Sequence, residues 1–197
     1  PADAAPETPV LGYLSRLSES QGFGDAVEAF VRLRRMRGLQ NLRFRATGGF
    51  TVTDQDFLSD VLRRLVREGL REQVEILPDY GPAARIAFLR TLTALSVPVR
   101  TGAAFGLFML EALACGVPVV QPSRGAFPEV IESTEGGVLY ALGNPDALVE
   151  AVAPLLRSRE RAQEMGRRGR RAVLEQYSTG RIAGRMLEIY ASCREPG

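Results

Sequence analysis

Short apolar runs alternate with amphipathic stretches along almost the whole chain, and this alternation constrains the fold more than any other feature. Val10–Leu14, Leu42–Ala46, Val74–Leu77, Ala94–Val97, Val117–Val120 and Gly137–Tyr140 read as strands. Stretches of helical period lie between them. Asp25–Arg37 carries Ala26, Phe30, Leu33 and Met36 on one stripe, and Thr53–Glu68 turns Phe57, Val61, Leu62 and Leu65 inward. Pro82–Leu92 and Gly106–Ala114 supply two more helices, the second ended by Gly116 in a left-handed conformation. Three helices close the chain: Pro145–Leu156 capped by Asn144, Arg159–Gln176, and Ser178–Cys193 capped by Ser178. Strands that alternate with helices predict an α/β domain, a doubly wound parallel sheet with helices on both faces. Such a sheet binds ligands beyond the carboxyl ends of its strands. The loops to examine are therefore Ser15–Phe23, Thr47–Thr51, Leu77–Gly81, Pro98–Gly106 and Gln121–Pro128.

Composition agrees with a globular domain. The 197 residues are 45% apolar and 24% charged. The longest apolar stretch, Phe105–Val120, is broken by Glu111, Gly116 and Pro118 and falls short of the ~20 residues that cross a bilayer. Residues 1–8 read as a leader or cut linker without the pattern of a signal peptide, 9–193 as the domain, and 194–197 as a tail. All 25 basic residues are Arg, with neither Lys nor His. That excludes a His base, a His metal ligand, a Schiff-base Lys and a P-loop Lys, and leaves any general base to Asp, Glu, Tyr or Cys. Cys115 and Cys193 form neither a disulfide framework nor a zinc site, and read as reduced thiols of a cytoplasmic protein. Cys115 reads as packing, since nothing nearby in sequence would activate it.

Arg157–Arg171 holds seven Arg against two Glu in a chain whose net charge is +2. We read it as a solvated helix face with Leu156, Met165, Ala172 and Val173 packed inward. No aromatics interleave to stack on bases, so no nucleic-acid partner is expected.

Three loop segments carry the chemistry. Ser15-Arg16-Leu17 opens the first strand-to-helix turn, where backbone N–H groups and a guanidinium converge on one side. Phe105-Gly106-Leu107 turns into a helix in which Glu111 is the one charge in an apolar run, so it requires either a structural donor or ligand hydroxyls. Ser123-Arg124-Gly125 through Glu129 follows the fifth strand. It reads as a loop with a tight turn at Gly125 and a helical turn begun at Pro128.

The order of these motifs resembles the carboxyl-terminal half of the large group 1 family of retaining glycosyltransferases. That family includes glycogen and sucrose synthases and many bacterial lipopolysaccharide and capsule sugar transferases. The resemblance runs from about Pro9 to Ala191 and is most specific in FGLFMLEALACGVPVV. It implies one of two Rossmann-like domains that face each other across a cleft, the GT-B arrangement. This half would bind the nucleotide-sugar donor, UDP- or GDP-linked, and a missing amino-terminal domain would bind the acceptor.

By the same resemblance Arg16 would hold the donor diphosphate, and the backbone at Phe105, Gly106 and Leu107 would meet phosphate or sugar oxygens. Glu111 would accept from the ribose hydroxyls, Ile76 and Leu77 would lie against the base, and Gly48 would shape the adjacent loop, with Glu129 mainly structural. No metal and no cofactor are implied, the donor being a substrate. Because many relatives act on lipid-linked acceptors, a peripheral contact with an anionic membrane is compatible with the resemblance. Two positions depart from the family. Gln21 stands where a Lys is usual, and Ala103 stands where the first of two paired glutamates is usual. Arg100 and Arg124 are the candidates to replace the lost charge. The alternative is a degenerate, non-catalytic binding or scaffold domain.

Overall fold

A computed structural model describes residues 8–101 and 105–193. Six strands form one parallel sheet: β1 (Val10–Leu14), β2 (Arg43–Thr47), β3 (Val74–Leu77), β4 (Ala94–Leu95), β5 (Val119–Pro122) and β6 (Gly137–Tyr140). Their spatial order is β3-β2-β1-β4-β5-β6. Eight helices connect and cover them: α1 (Phe23–Arg34), α2 (Gln55–Arg67), α3 (Pro82–Leu89), α4 (Leu107–Ala114), α5 (Phe127–Thr134), α6 (Pro145–Arg157), α7 (Arg159–Gln176) and α8 (Thr179–Ser192). Right-handed crossovers put α1 and α2 on one face and α3, α4 and α5 on the other. The last helices extend these layers: α6 packs on α1, and α7 packs on α4 and α5. Strand order reverses between β1 and β4, and the expected crevice lies above that point.

The apolar runs fill the sheet interior. Tyr13, Phe23, Phe30 and Phe44 form a continuous aromatic cluster under α1. Ala26, Phe30 and Leu33 of the expected stripe are buried, and Met36 packs half-buried at its end. On α2, Val61 and Leu65 are buried as expected, Phe57 and Leu62 pack at the margin, and Leu58 joins them in the core.

Several boundaries differ from expectation for local reasons. β5 begins at Val119, two residues late, because Val117 still belongs to the end of α4. Its N–H bonds to Ala112 O at 2.9 Å, and the Gly116 N–H bonds to Leu113 O at 2.8 Å around a left-handed Gly116. β4 stops at Leu95 because the Val97 N–H is taken by the Gln121 side chain at 3.4 Å in place of a ladder partner. Helix α5 extends the single helical turn expected at Pro128 to eight residues, beginning at Phe127. Asn144 caps α6 by accepting from the Asp146 N–H at 2.9 Å. Ser178 occupies the cap position of α8 but makes no side-chain cap bond. No helix among the described residues is long and apolar enough to cross a membrane.

Candidate functional site

The loops above β1, β2, β3 and β4 are tied into one crest. Leu17 N–H donates to Gly49 O at 2.8 Å, joining the first loop to the second. Gly48, at φ 134°, lies so close to Ser15 that a Cβ there would stand 2.1 Å from its carbonyl oxygen. Thr47 Oγ1 donates to Leu77 O at 3.0 Å and Asp79 O at 3.2 Å, which fixes the loop after β3 to the same platform. On the other side, Arg100 N–H donates to Ser20 O at 3.0 Å.

Arg16 stands on this crest, half exposed, where β1 turns into α1. The buried Tyr13 hydroxyl donates to Arg16 O at 2.8 Å and to Gln21 O at 3.1 Å, so the loop is anchored from below. Burial raises the Tyr13 pKa far above the usual phenol range, which keeps it a neutral donor. Arg16 Nε lies 3.6 Å from Asp54 Oδ2, and its terminal nitrogen reaches Ser20 Oγ at 3.5 Å. Asp54 is buried just before α2. Its Oδ2 accepts from Thr51 Oγ1 at 2.6 Å and Thr51 N–H at 2.8 Å. Those bonds, assisted by Arg16, hold its carboxyl below the usual carboxylate range. Gln21 is half-buried, and its side-chain oxygen accepts from Ser15 Oγ at 3.1 Å.

Gly106 precedes α4 at φ 73°, where a Cβ would stand 2.7 Å from the Phe127 ring. Phe105 and Leu107 are exposed on either side of it. Glu111 lies one turn further along α4, and its Oε1 is 3.1 Å from Arg85 Nη2 of α3. Of the two partners expected for this carboxylate, the structure supplies the protein donor. The pair borders a groove of about 460 Å3 between α3, α4 and α7. Cys115 lines the same groove, and burial raises its thiol pKa, in keeping with a packing role. Ile76 and Leu77 end β3, opposite Ala46 and Thr47 and half-buried. Ala103 lies outside the described residues.

Neither replacement cation is simply available. Arg100 is clamped by Asp25 through bonds of 2.6 and 2.7 Å and by Glu19 at 3.2 Å. Arg124 donates to the Arg100 carbonyl. The Arg-rich helix α7 turns Met165 and Val173 inward, while Arg168 pairs with Glu164 and Arg170 donates to Ala114 O. Sequence reasoning missed Asp54 and Arg85, the partners of Arg16 and Glu111. Each comes from a distant helix boundary or face, and no local spacing links it to its partner.

The parallel sheet, its reversal at β1/β4 and the crest define a Rossmann-like domain of the GT-B kind. Its C-terminal counterpart from the Francisella tularensis group 1 protein LpcC superposes with a TM-score of 0.77 at 21% identity, covering 89% of each chain. The Anabaena protein HepE, solved with UDP and glucose, gives 0.81 at 19% identity, covering 93% of this chain and 48% of that one. The profile described as glycosyl transferases group 1 matches residues 2–172, and the chain belongs to that family. Among its relatives, N-acetyl-alpha-D-glucosaminyl L-malate synthase of Bacillus anthracis is 33% identical over 181 residues, 92% of this chain and 45% of the relative. A GDP-mannose-dependent phosphatidylinositol monomannoside mannosyltransferase of Mycolicibacterium smegmatis is 29% identical over 195 residues, 96% of this chain and 49% of the relative. The chain thus spans about half the length of these relatives.

Proposed function

We propose that this chain is the donor-binding half of a retaining glycosyltransferase. In this reading it carries a hexose on a nucleoside diphosphate, for transfer to a sugar or lipid-linked acceptor held by an amino-terminal domain. The observation that carries the reading is the setting of Arg16. A buried carboxylate engages its Nε edge at 3.6 Å, and the side chain stays half exposed above the strand ends. A guanidinium so held suits bidentate contact with a diphosphate. As the sugar–oxygen bond breaks, the electron pair stays on the diphosphate, and a fixed cation stabilises the charge that develops there. Glu111 would accept from the ribose, either beside Arg85 or in its place. The Ile76–Leu77 strand end would carry the base. Arg16 and backbone N–H groups at the start of α4 would supply what a metal supplies elsewhere.

Gln21 weakens this machinery. It brings no charge, and a hydrogen bond to a charged group contributes about 1.5–3 kcal/mol, so its loss slows transfer by roughly one to two powers of ten. This favours a second reading, a domain that keeps nucleotide binding without turnover. Calorimetric titration with UDP, GDP and ADP tests the proposal. Saturable binding of one nucleotide, weakened about tenfold or more in Arg16→Ala, supports a donor site. Absence of binding by all three, or binding indifferent to Arg16, overturns it. Binding with no transfer by the longer protein selects the second reading.

A further inference from the structure

A second cavity, of about 410 Å3, opens beside the crest on the α1–α6 side, the face opposite Glu111. Asp25 and Glu28 of α1 form one wall, Arg100 the rim, and Tyr140 at the end of β6 the interior, with Pro98 and Leu148 as apolar surface. Tyr140 is only 9% exposed. Burial and the nearby Asp25 charge keep its phenol protonated. A phenol hydroxyl on the wall of a roomy cavity offers a ligand one donor and one acceptor.

The charges around it select the ligand class. Asp25 accepts from Arg100 Nε and Nη2, one on each carboxylate oxygen, and Glu28 is bound by Arg32 at 2.5 Å and by Arg64. Burial works against ionisation of Glu28, but these bonds more than compensate and hold its carboxyl below the usual range. Both carboxylates are therefore already paired with arginine. A cation would have to displace an arginine, and an anion would face two carboxylates. No group of three metal-ligating side chains occurs among the described residues. Each carboxylate still has free lone pairs, since an ionised carboxyl accepts about four hydrogen bonds. Hydroxyl groups can use those acceptors, the Tyr140 hydroxyl can bond a ring or hydroxyl oxygen, and Pro98 and Leu148 can receive a C–H face.

We infer that this cavity binds a neutral hexose ring, at a site separate from the Arg16 crest and the Glu111 groove and independent of what they bind. Saturation-transfer NMR of the chain with glucose, galactose and mannose tests it. At least one should receive saturation, and Tyr140→Phe, which removes only the hydroxyl, should weaken its binding roughly three- to tenfold. UDP should not displace it. Leu148→Trp, checked for folding by circular dichroism, should fill the cavity and abolish the signal. Methyl glycosides that bind as well as the free sugar identify the end residue of a glycan as the ligand, and their exclusion identifies the free sugar. The inference is overturned if no hexose receives saturation, if Tyr140→Phe binds as the wild type does, or if UDP competes.

Discussion

Asp54 Oδ2 accepts from Thr51 twice and lies 3.6 Å from Arg16 Nε, so one buried carboxylate both closes the capping box of the Val52–Asp54 turn before α2 and orients the guanidinium on the crest. The two tasks separate by substitution. Asp54→Asn keeps an acceptor for Thr51 and loses the charge. It should weaken nucleotide binding up to about fivefold, the range of an ion pair whose guanidinium is half exposed. Asp54→Ala should in addition cost about 1 kcal/mol of stability through the lost cap, read from urea unfolding.

The same carboxylate sets a pH dependence. Thr51 first, and Arg16 after it, hold its folded-state pKa below the unfolded value. Its contribution is therefore fully present above the ordinary carboxylate pKa, near about 4, and is lost as pH falls through the lower folded value. Urea midpoints measured from neutral to acid pH should drop at the acid end in the wild type. The drop should be smaller in Asp54→Asn.

Gly22 begins α1 at φ 73°, and a Cβ there would stand 1.9 Å from Pro98 O. This close approach joins the first loop to the fourth beneath Arg100. Gly22→Ala combines left-handed strain with a backbone clash and should destabilise the domain by at least about 2 kcal/mol. Gly180→Ala, at an α8 position with open space around it, should leave the thermal midpoint within about a degree or raise it slightly. Paired melting curves decide this.

Glu111 and Arg85 meet at 3.1 Å with both side chains about one-third exposed. If the carboxylate serves the ribose, Glu111→Ala should weaken UDP or GDP by about tenfold or more and leave inorganic pyrophosphate unaffected. Arg16→Ala should weaken the nucleotide and pyrophosphate alike. Equal losses for both ligands in Glu111→Ala would place the carboxylate outside the ribose contact.

Gln21→Lys should tighten nucleoside diphosphate binding by about tenfold, with the gain shrinking as salt rises. Its side-chain oxygen is bonded by Ser15, so the Lys variant must also release that hydroxyl. Titrations at low and high ionic strength measure both effects.

The alternation of apolar runs and amphipathic stretches determined the sheet, the side of it on which ligands are expected, the loops that carry Arg16 and Gly106, and the helix that carries Glu111. Those features depend on local period and on glycine positions, which one stretch of chain records by itself. The ends of β4 and β5 escaped it, because a side chain from another strand and the hydrogen-bonded close of α4 compete there with the ladder. The partners of the candidate residues were decided only in three dimensions. Asp54 reaches Arg16 from the start of α2, Arg85 reaches Glu111 across two packed helices, and Asp25 takes Arg100 away from the crest. An ion pair between distant segments leaves no period in the sequence, and which cation stays free depends on which carboxylate folding brings beside it.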